Sequence, residues 1–336
     1  MNINEVIKNE LDFIEQYEKS SIMINTTAKH SIEFSVLPRR VIEARALSSF
    51  MINKPEILQQ LLEYFDGKVD EIFIDIELKQ EINLYGIAQQ YVKNSELITV
   101  KPNDTTLESC DLLIRNHFND NLTDKNVIVI GTGNLASKIA LRMSERQCNV
   151  YIKGRSSEKE EKIIEALNMV LPNYNSKIKS YDCLEKEQKA DLIISFLSGP
   201  FEEEVLLKPH VTQNTFMIDG GINNFSSDFV NEMLHSDVNI TRLDTRIALE
   251  YQLLSTSGYI KSFFNQVYGQ REINGIMVAS GGYIGKEGTV IVDNIKQPNQ
   301  IVGIADGSGG VKKNEQLREE DRQSIQTIRE AISTIG

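Results

Sequence analysis

The sequence predicts an α/β protein: one α/β domain, then a doubly wound parallel sheet, then a C-terminal segment that returns to the cleft between them. Three observations predict it. Short apolar runs alternate with amphipathic helical stretches from about residue 71 to residue 243, which is the pattern of a parallel sheet. The run Val127-Ile128-Val129-Ile130 leads straight into a glycine-rich turn and then a helical pattern, as a buried strand of such a sheet does. At 336 residues the chain is about twice a typical domain.

The first 120 residues read as one domain. Ile7, Leu11 and Ile14 recur at helical spacing, while IMIN (22–25) and SIEFSVL (31–37) read as short strands. Pro38 then opens an amphipathic helix over 38–50, and a second helix covers 55–65. EIFIDIEL (71–78) is a strand, 83–93 a helix and LITV (97–100) a strand. In the turn cluster KPNDTT (101–106), Asp104 or Thr105 caps a connecting helix that carries Leu107, Cys110 and Ile114.

Residues 121–250 read as the second domain. Its strands are VIVI, NVYIK, DLIISFL, TFMIDGG and NITRL, each preceded by a segment with helical character, including a charged helix that runs to 171. From Asp244 to Tyr268 one long helical pattern follows. The remainder of 251–336 is expected to hold glycine-punctuated strands, a glycine-rich hairpin, a KQPNQ hairpin loop and a last helix over 313–335, packing on the first domain.

Composition excludes several classes. A net charge of −12 opposes wholesale binding to nucleic acid or to an anionic membrane. No apolar run reaches membrane-spanning length, and the acidic start MNINEVIKNELDFIEQYEKS lacks the apolar centre of a signal peptide, so a cytoplasmic location is expected. Cys110, Cys148 and Cys183 form no CxxC pair and suit a reducing compartment. His30, His117, His210 and His235 are scattered without ligand spacing, so no metal is expected; HExxH and GxSxG are missing.

The turn after the first strand of the second domain carries the strongest chemistry. Gly131-Thr132-Gly133-Asn134-Leu135-Ala136 is Gly-x-Gly-x-x-Ala between strand and helix. Gly131 permits the tight turn, Gly133 lets the backbone approach a pyrophosphate, and Ala136 allows close helix–strand contact. Amides at the helix start then face the phosphates. This marks a Rossmann-type dinucleotide site, with Gly131, Thr132, Gly133, Asn134 and Leu135 against the cofactor. The next strand ends Tyr151-Ile152-Lys153-Gly154-Arg155-Ser156-Ser157, where NAD enzymes usually carry a carboxylate for the ribose. Arg155 and Lys153 can instead pair with a 2′-phosphate, and Ser156 and Ser157 can hydrogen-bond it. NADP is therefore expected ahead of NAD. The alternative for this turn is a solvated basic loop capping the next helix at Ser157.

Two further segments, Ala190-Asp191-Leu192-Ile193-Ile194-Ser195-Phe196-Leu197-Ser198-Gly199-Pro200 and Met217-Ile218-Asp219-Gly220-Gly221-Ile222-Asn223, carry a family resemblance. They resemble the superfamily of shikimate dehydrogenase and methylenetetrahydrofolate dehydrogenase, in which a smaller α/β substrate domain precedes an NAD(P)-binding Rossmann domain. The resemblance implies that Ser198 and Gly220 lie on the nicotinamide side. Gly281-Gly282-Tyr283-Ile284-Gly285 is similar to a glycine segment these enzymes carry near the cofactor, though it comes later here. Shikimate dehydrogenases use a Lys after one substrate-domain strand and an Asp in a turn before the connecting helix; the nearest positions are Lys79 and Asp104. The resemblance thus implies a catalytic pair in which the Lys79 ammonium donates a proton and the Asp104 carboxylate holds it. The bland alternatives are a solvated strand-end lysine and a helix cap.

Other polar groups stand where a ligand could meet them. Asn25-Thr26-Thr27-Ala28-Lys29-His30-Ser31 concentrates donors between two strands, with an exposed loop as the plainer reading. Arg39, Arg40 and Arg45 suit an anionic substrate, and Asp244 and Arg246 follow the last strand of the second sheet. Together these readings point to an NADP-preferring oxidoreductase moving a hydride to or from a hydroxy/keto or amine/imine carbon of a small polar molecule, expected as a homodimer. The alternatives are an NAD-recycling synthase or cyclodeaminase, and a nicotinamide-binding regulatory protein without catalysis.

Overall fold

The apolar runs of the first hundred residues close into one mixed sheet. In the computed structural model, which describes residues 3–27 and 33–335, helix α1 (Ile3–Ile14) buries Ile7, Leu11 and Ile14, the i, i+4, i+7 stripe of the sequence. The strands are β1 (Lys19–Asn25), β2 (Phe34–Ile42) and β3 (Arg45–Ile52), then helix α2 (Pro55–Phe65), β4 (Glu71–Asp75), α3 (Leu84–Tyr91) and β5 (Glu96–Val100). The sheet order is β2-β3-β1-β4-β5, parallel except for β2, which runs antiparallel to β3. Helices α1 and α2 lay Leu11, Leu58, Leu62 and Phe65 against Phe50 and Ile72 of the sheet. Each such side chain stabilises the fold by about 2 kcal/mol on burial.

The helix expected over 38–50 does not form. Those residues belong to β2 and β3, which turn back on each other through Glu43, at φ +54°, and Ala44. Ala46, Leu47 and Phe50 gain complete burial between β1 and β2, which outweighs the helix propensity of the Arg-Ala-Leu composition. Pro38 sits at a bulge between Leu37 and Arg40 on the edge strand, where a missing donor costs least. The strand expected over 71–78 stops at Asp75. Lys29, His30 and Ser31 of the polar stretch lie outside the described residues.

Helix α4 (Pro102–His117) starts at Pro102, with Lys101 at the N-cap, so neither Asp104 nor Thr105 is the cap; Asp104 is in the first turn. After it come β6 (Asn126–Ile130), α5 (Asn134–Glu145), β7 (Asn149–Lys153), α6 (Ser157–Val170), β8 (Lys179–Ser180), β9 (Leu192–Ser195), β10 (Phe216–Asp219), α7 (Ser227–His235) and β11 (Asn239–Arg242). All neighbours pair in parallel, in the order β11-β10-β9-β6-β7-β8. That is the doubly wound Rossmann order, with its switch point between β6 and β9. A 3₁₀ stretch, Glu204–His210, replaces a helix between β9 and β10, and Pro209 inside it rules out a continued α-helix. Ser156, rather than Ser157, caps α6.

By contact clustering the chain forms two units, Met1–Glu250 and Tyr251–Gly336. The long helix expected over 244–268 is two, α8 (Arg246–Leu254) and α9 (Gly258–Gln266), because Ser257 caps a new start. Strand β12 (Gly269–Ile273) follows directly after that stretch. It pairs with β13 (Ile276–Ser280) across Asn274-Gly275, both at positive φ, a hairpin turn the Asn-Gly pair signals in sequence. Strands β14 (Val290–Val292) and β15 (Ile301–Ile304) complete a sheet ordered β12-β13-β14-β15. β14 runs parallel to β13, so the glycine-rich segment 281–288 is a crossover and not a hairpin; KQPNQ does join an antiparallel pair. Helix α10 (Glu319–Ile335) begins six residues later than expected and packs Ile328 on Val278, Val290 and Ile304. Among the described residues no helix is long and apolar enough to cross a membrane, and no group of three or more His, Cys, Asp and Glu is placed to hold a metal ion.

Candidate active site

The glycine turn stands at the switch point of the second sheet. Gly131 has φ +125°, and a Cβ there would stand 2.6 Å from the carbonyl oxygen of Phe196 at the end of β9. Only glycine fits between the two strand ends. Gly133 is the N-cap of α5 in ordinary extended geometry, and a Cβ there would meet nothing within 4 Å. The space in front of it is open, so the α5 amides of Asn134 and Leu135 have room for a phosphate before them. Ala136 is fully buried where helix meets sheet. A Cβ on Gly154 would touch the Thr132 methyl at 2.7 Å, which brings the second turn close against the first.

The basic turn is held from beneath by a carboxylate that the sequence pattern does not mark. Glu160, buried on α6, accepts from the Gly154 N–H at 2.7 Å and from the Ser180 hydroxyl at 2.5 Å. Above it the Arg155 guanidinium donates to the Ser198 hydroxyl at 3.1 Å, joining the turn after β7 to the loop after β9. Ser156 accepts from the Lys159 N–H and keeps its own proton for another acceptor. Lys153 is already engaged by Glu203 at 3.2 Å and lies 3.9 Å from Asp182, so Arg155 is the cation of this turn facing a further ligand.

On the opposite side of the switch point, buried Asn224 welds two loops together. Its Oδ1 accepts from the Ser195 hydroxyl and the Leu197 N–H, and its Nδ2 donates to the carbonyls of Leu197 and Gly199. Gly220 and Gly221 leave the room this requires: a Cβ on Gly220 would enter the Phe196 ring, and one on Gly221 would enter Asn224. Asp219 accepts from the amides of Gly221 and Asn224, and Ile222 and Asn223 are bent into the left-handed region at φ +63° and +60°. A β-branched residue held there stores strain, of order 1–3 kcal/mol, that surrounding contacts must offset.

Lys79 and Asp104 do not form the expected pair. Asp104 is half exposed; the Lys101 ammonium at 2.6 Å holds its carboxyl below the usual range, against slight desolvation, and Lys138 of α5 adds to this at 3.2 Å. It thereby ties α4 to α5. Lys79 instead bonds Asp75 at 3.1 Å and Glu77 at 3.0 Å, and it lines a cavity of about 610 Å³ with Asn53, Pro55, Leu78 and Gln80. Burial pushes the Asp75 carboxyl up, while the Glu77 amide and Lys79 pull it down.

The remaining candidates go elsewhere. Arg39 bonds Glu10 bidentately, and Arg45 pairs with Glu71. Arg40 is lowered by burial and by nearby Arg246, which is itself paired with Asp244. Burial holds the Cys148 thiol up at about 12 and raises Cys110 further, so neither buried thiol is a nucleophile.

Residues 112–219 match the family model described as shikimate / quinate 5-dehydrogenase. The matched stretch begins within α4 and ends with β10, so it spans the glycine turn, the basic turn and the loop after β9. Solved structures with similarity include a shikimate dehydrogenase in complex with NADP+, at 14% identity over 71% of this chain and 90% of that one, TM-score 0.43. The L-tryptophan dehydrogenase of Nostoc punctiforme shares 10% identity over 73% and 77%, TM-score 0.44. The A chain of dipicolinate synthase from Bacillus subtilis shares 17% over 75% and 82%, TM-score 0.37. No curated protein matches the sequence.

Proposed function

We propose that the protein is an NADP-preferring oxidoreductase that moves a hydride between the nicotinamide and a hydroxy/keto or amine/imine carbon of a small polar substrate. The observation that carries the reading is the open turn at Gly133 beside a basic turn, 153–157, whose own residues include no Asp or Glu. The α5 amides of Asn134 and Leu135 take the pyrophosphate, with Gly131 and Thr132 shaping the turn. Arg155 and the Ser156 hydroxyl take the 2′-phosphate, and the loops bearing Ser198 and Gly220, locked by Asn224, border the nicotinamide side. When bound, the nicotinamide supplies the hydride.

Proton transfer falls to this chain. Lys79, on the rim of its cavity, gives a proton from Nζ to the substrate oxygen or nitrogen as the carbon is reduced, and takes one back in the reverse direction. Asp104 is left out of this step because its two lysine partners already use it.

Calorimetric titration of the full chain with NADPH and NADH, repeated on Arg155→Ala, tests the reading. Tighter NADPH binding that Arg155→Ala abolishes supports it. Binding of neither nucleotide removes it.

A further inference from the structure

The first sheet has a switch point of its own. From β1 the chain moves through β2 to β3 on one side, while from β4 it moves to β5 on the other, so a crevice opens beyond the carboxyl ends of β1 and β4. Asp75 closes β4 there with a side chain that has no exposure at all. Its carboxylate accepts from the Glu77 N–H at 2.7 Å and from the Thr26 N–H of the β1 end at 3.4 Å, so it cannot swing aside. Among the described residues the buried Thr26 hydroxyl has no hydrogen-bond partner, a polar atom left over beside the pair. Glu77, the second carboxylate on Lys79, accepts from the Asn103 N–H in the first turn of α4. Gln80 reaches back to the Thr27 carbonyl and pins the far end of the loop.

We propose that Asp75 is the positioning residue that fixes the Lys79 ammonium at the rim of the cavity, with Glu77 as its second support, and that Asp104 has no part in this. The inference rests on the reading of Lys79 as the proton-transfer group, and it names the group that aims it. A buried, doubly amide-bonded carboxylate is a rigid reference point for an ammonium, whereas the half-exposed Asp104 is a mobile one already shared by two lysines. Only three residues, Ile76, Glu77 and Leu78, separate Asp75 from Lys79, so the whole device lies in one loop and needs no movement of α4.

The test follows the Lys79 amine in the full chain, without any substrate. Acylation by acetic anhydride at fixed pH, read lysine by lysine by mass spectrometry, gives its reactivity, with the other lysines as internal controls. In the wild type Lys79 reacts more slowly than Lys101 and Lys138. Asp75→Asn raises its rate about fivefold or more, as loss of one charge-assisted bond implies, while Asp104→Asn leaves it unchanged. After reductive ¹³C-methylation the two methyl groups of Lys79 give separate resonances that merge in Asp75→Asn alone. A Lys79 that labels as fast as Lys101 in the wild type, or whose rate rises in Asp104→Asn, overturns the proposal; both outcomes remain readable if Asp75→Asn does not fold. NADPH titration is independent of these readouts, so absence of cofactor binding would remove the proposed function while leaving the Lys79 result standing.

Discussion

The first 250 residues contain two switch points built on opposite plans. At the second sheet the crevice is made of backbone: glycines at 131 and 133, helix amides, and room for an anion. At the first sheet it is made of side chains: Asp75, Glu77 and Lys79 hold one another beside a cavity. A site made of backbone is sensitive to residue size where the chain is tight, as at Gly131, and its amides do not titrate. A site made of charges tolerates changes in shape and responds to pH. The same topological device therefore presents helix amides and open space in one place and a buried cluster of charges in the other.

Breaking the charged site should have the largest effect. Lys79→Met leaves Asp75 buried without its cation and should cost about 3–5 kcal/mol in urea unfolding at neutral pH. Asp75 already titrates above its unfolded value, so its favourable contribution is present below the unfolded aspartate pKa and is lost as pH rises through the folded one. Lys79 draws that folded value down, so removing it should widen the window. The variant should regain stability as pH falls towards the ordinary aspartate range, and a flat pH dependence would contradict the account.

The two glycines sharpen the contrast next. Gly131→Ala forces a side chain into a left-handed backbone against the Phe196 carbonyl, and should lower stability by about 2–4 kcal/mol. Gly133→Ala has free space and ordinary φ, so its melting temperature should match the wild type while NADPH affinity drops about tenfold or more. Equal melting losses in the two variants would show that the turn is not open in the way described.

Arg155→Ala should reduce NADPH affinity about 10–100-fold and NADH affinity little, the worth of one or two charge-assisted bonds to a phosphate. An equal loss for both nucleotides would place the guanidinium on the pyrophosphate instead. The smallest effect belongs to Asp104→Asn, whose ion pairs are exposed: unfolding should shift by no more than about 1 kcal/mol.

What the sequence determined by itself is what local rules determine. The strand VIVI, the Gly-x-Gly-x-x-Ala turn and the helix behind it obey spacing constraints within about a dozen residues, and the structure places them as that spacing requires. The apolar stripe of α1 and the alternation that yields β6, β7 and β9 to β11 are likewise local patterns, whereas the two-residue β8 leaves no mark in the sequence pattern. Only the tertiary structure decided the rest. Residues 38–50 became strands because burial between β1 and β2 outweighs propensity, and no window of the sequence contains β1 and β3 together. Asn224 and Glu160 do their work through carbonyls, amides and hydroxyls on neighbouring elements. Lys79 stands out in the sequence by its place after a strand, but its ion partners do not, because a carboxylate near in sequence and one near the next helix look alike until burial separates them. Asp75 is enclosed and immobile and Asp104 half exposed and shared, a difference set by which strands flank β4 and by which lysines α4 and α5 bring together.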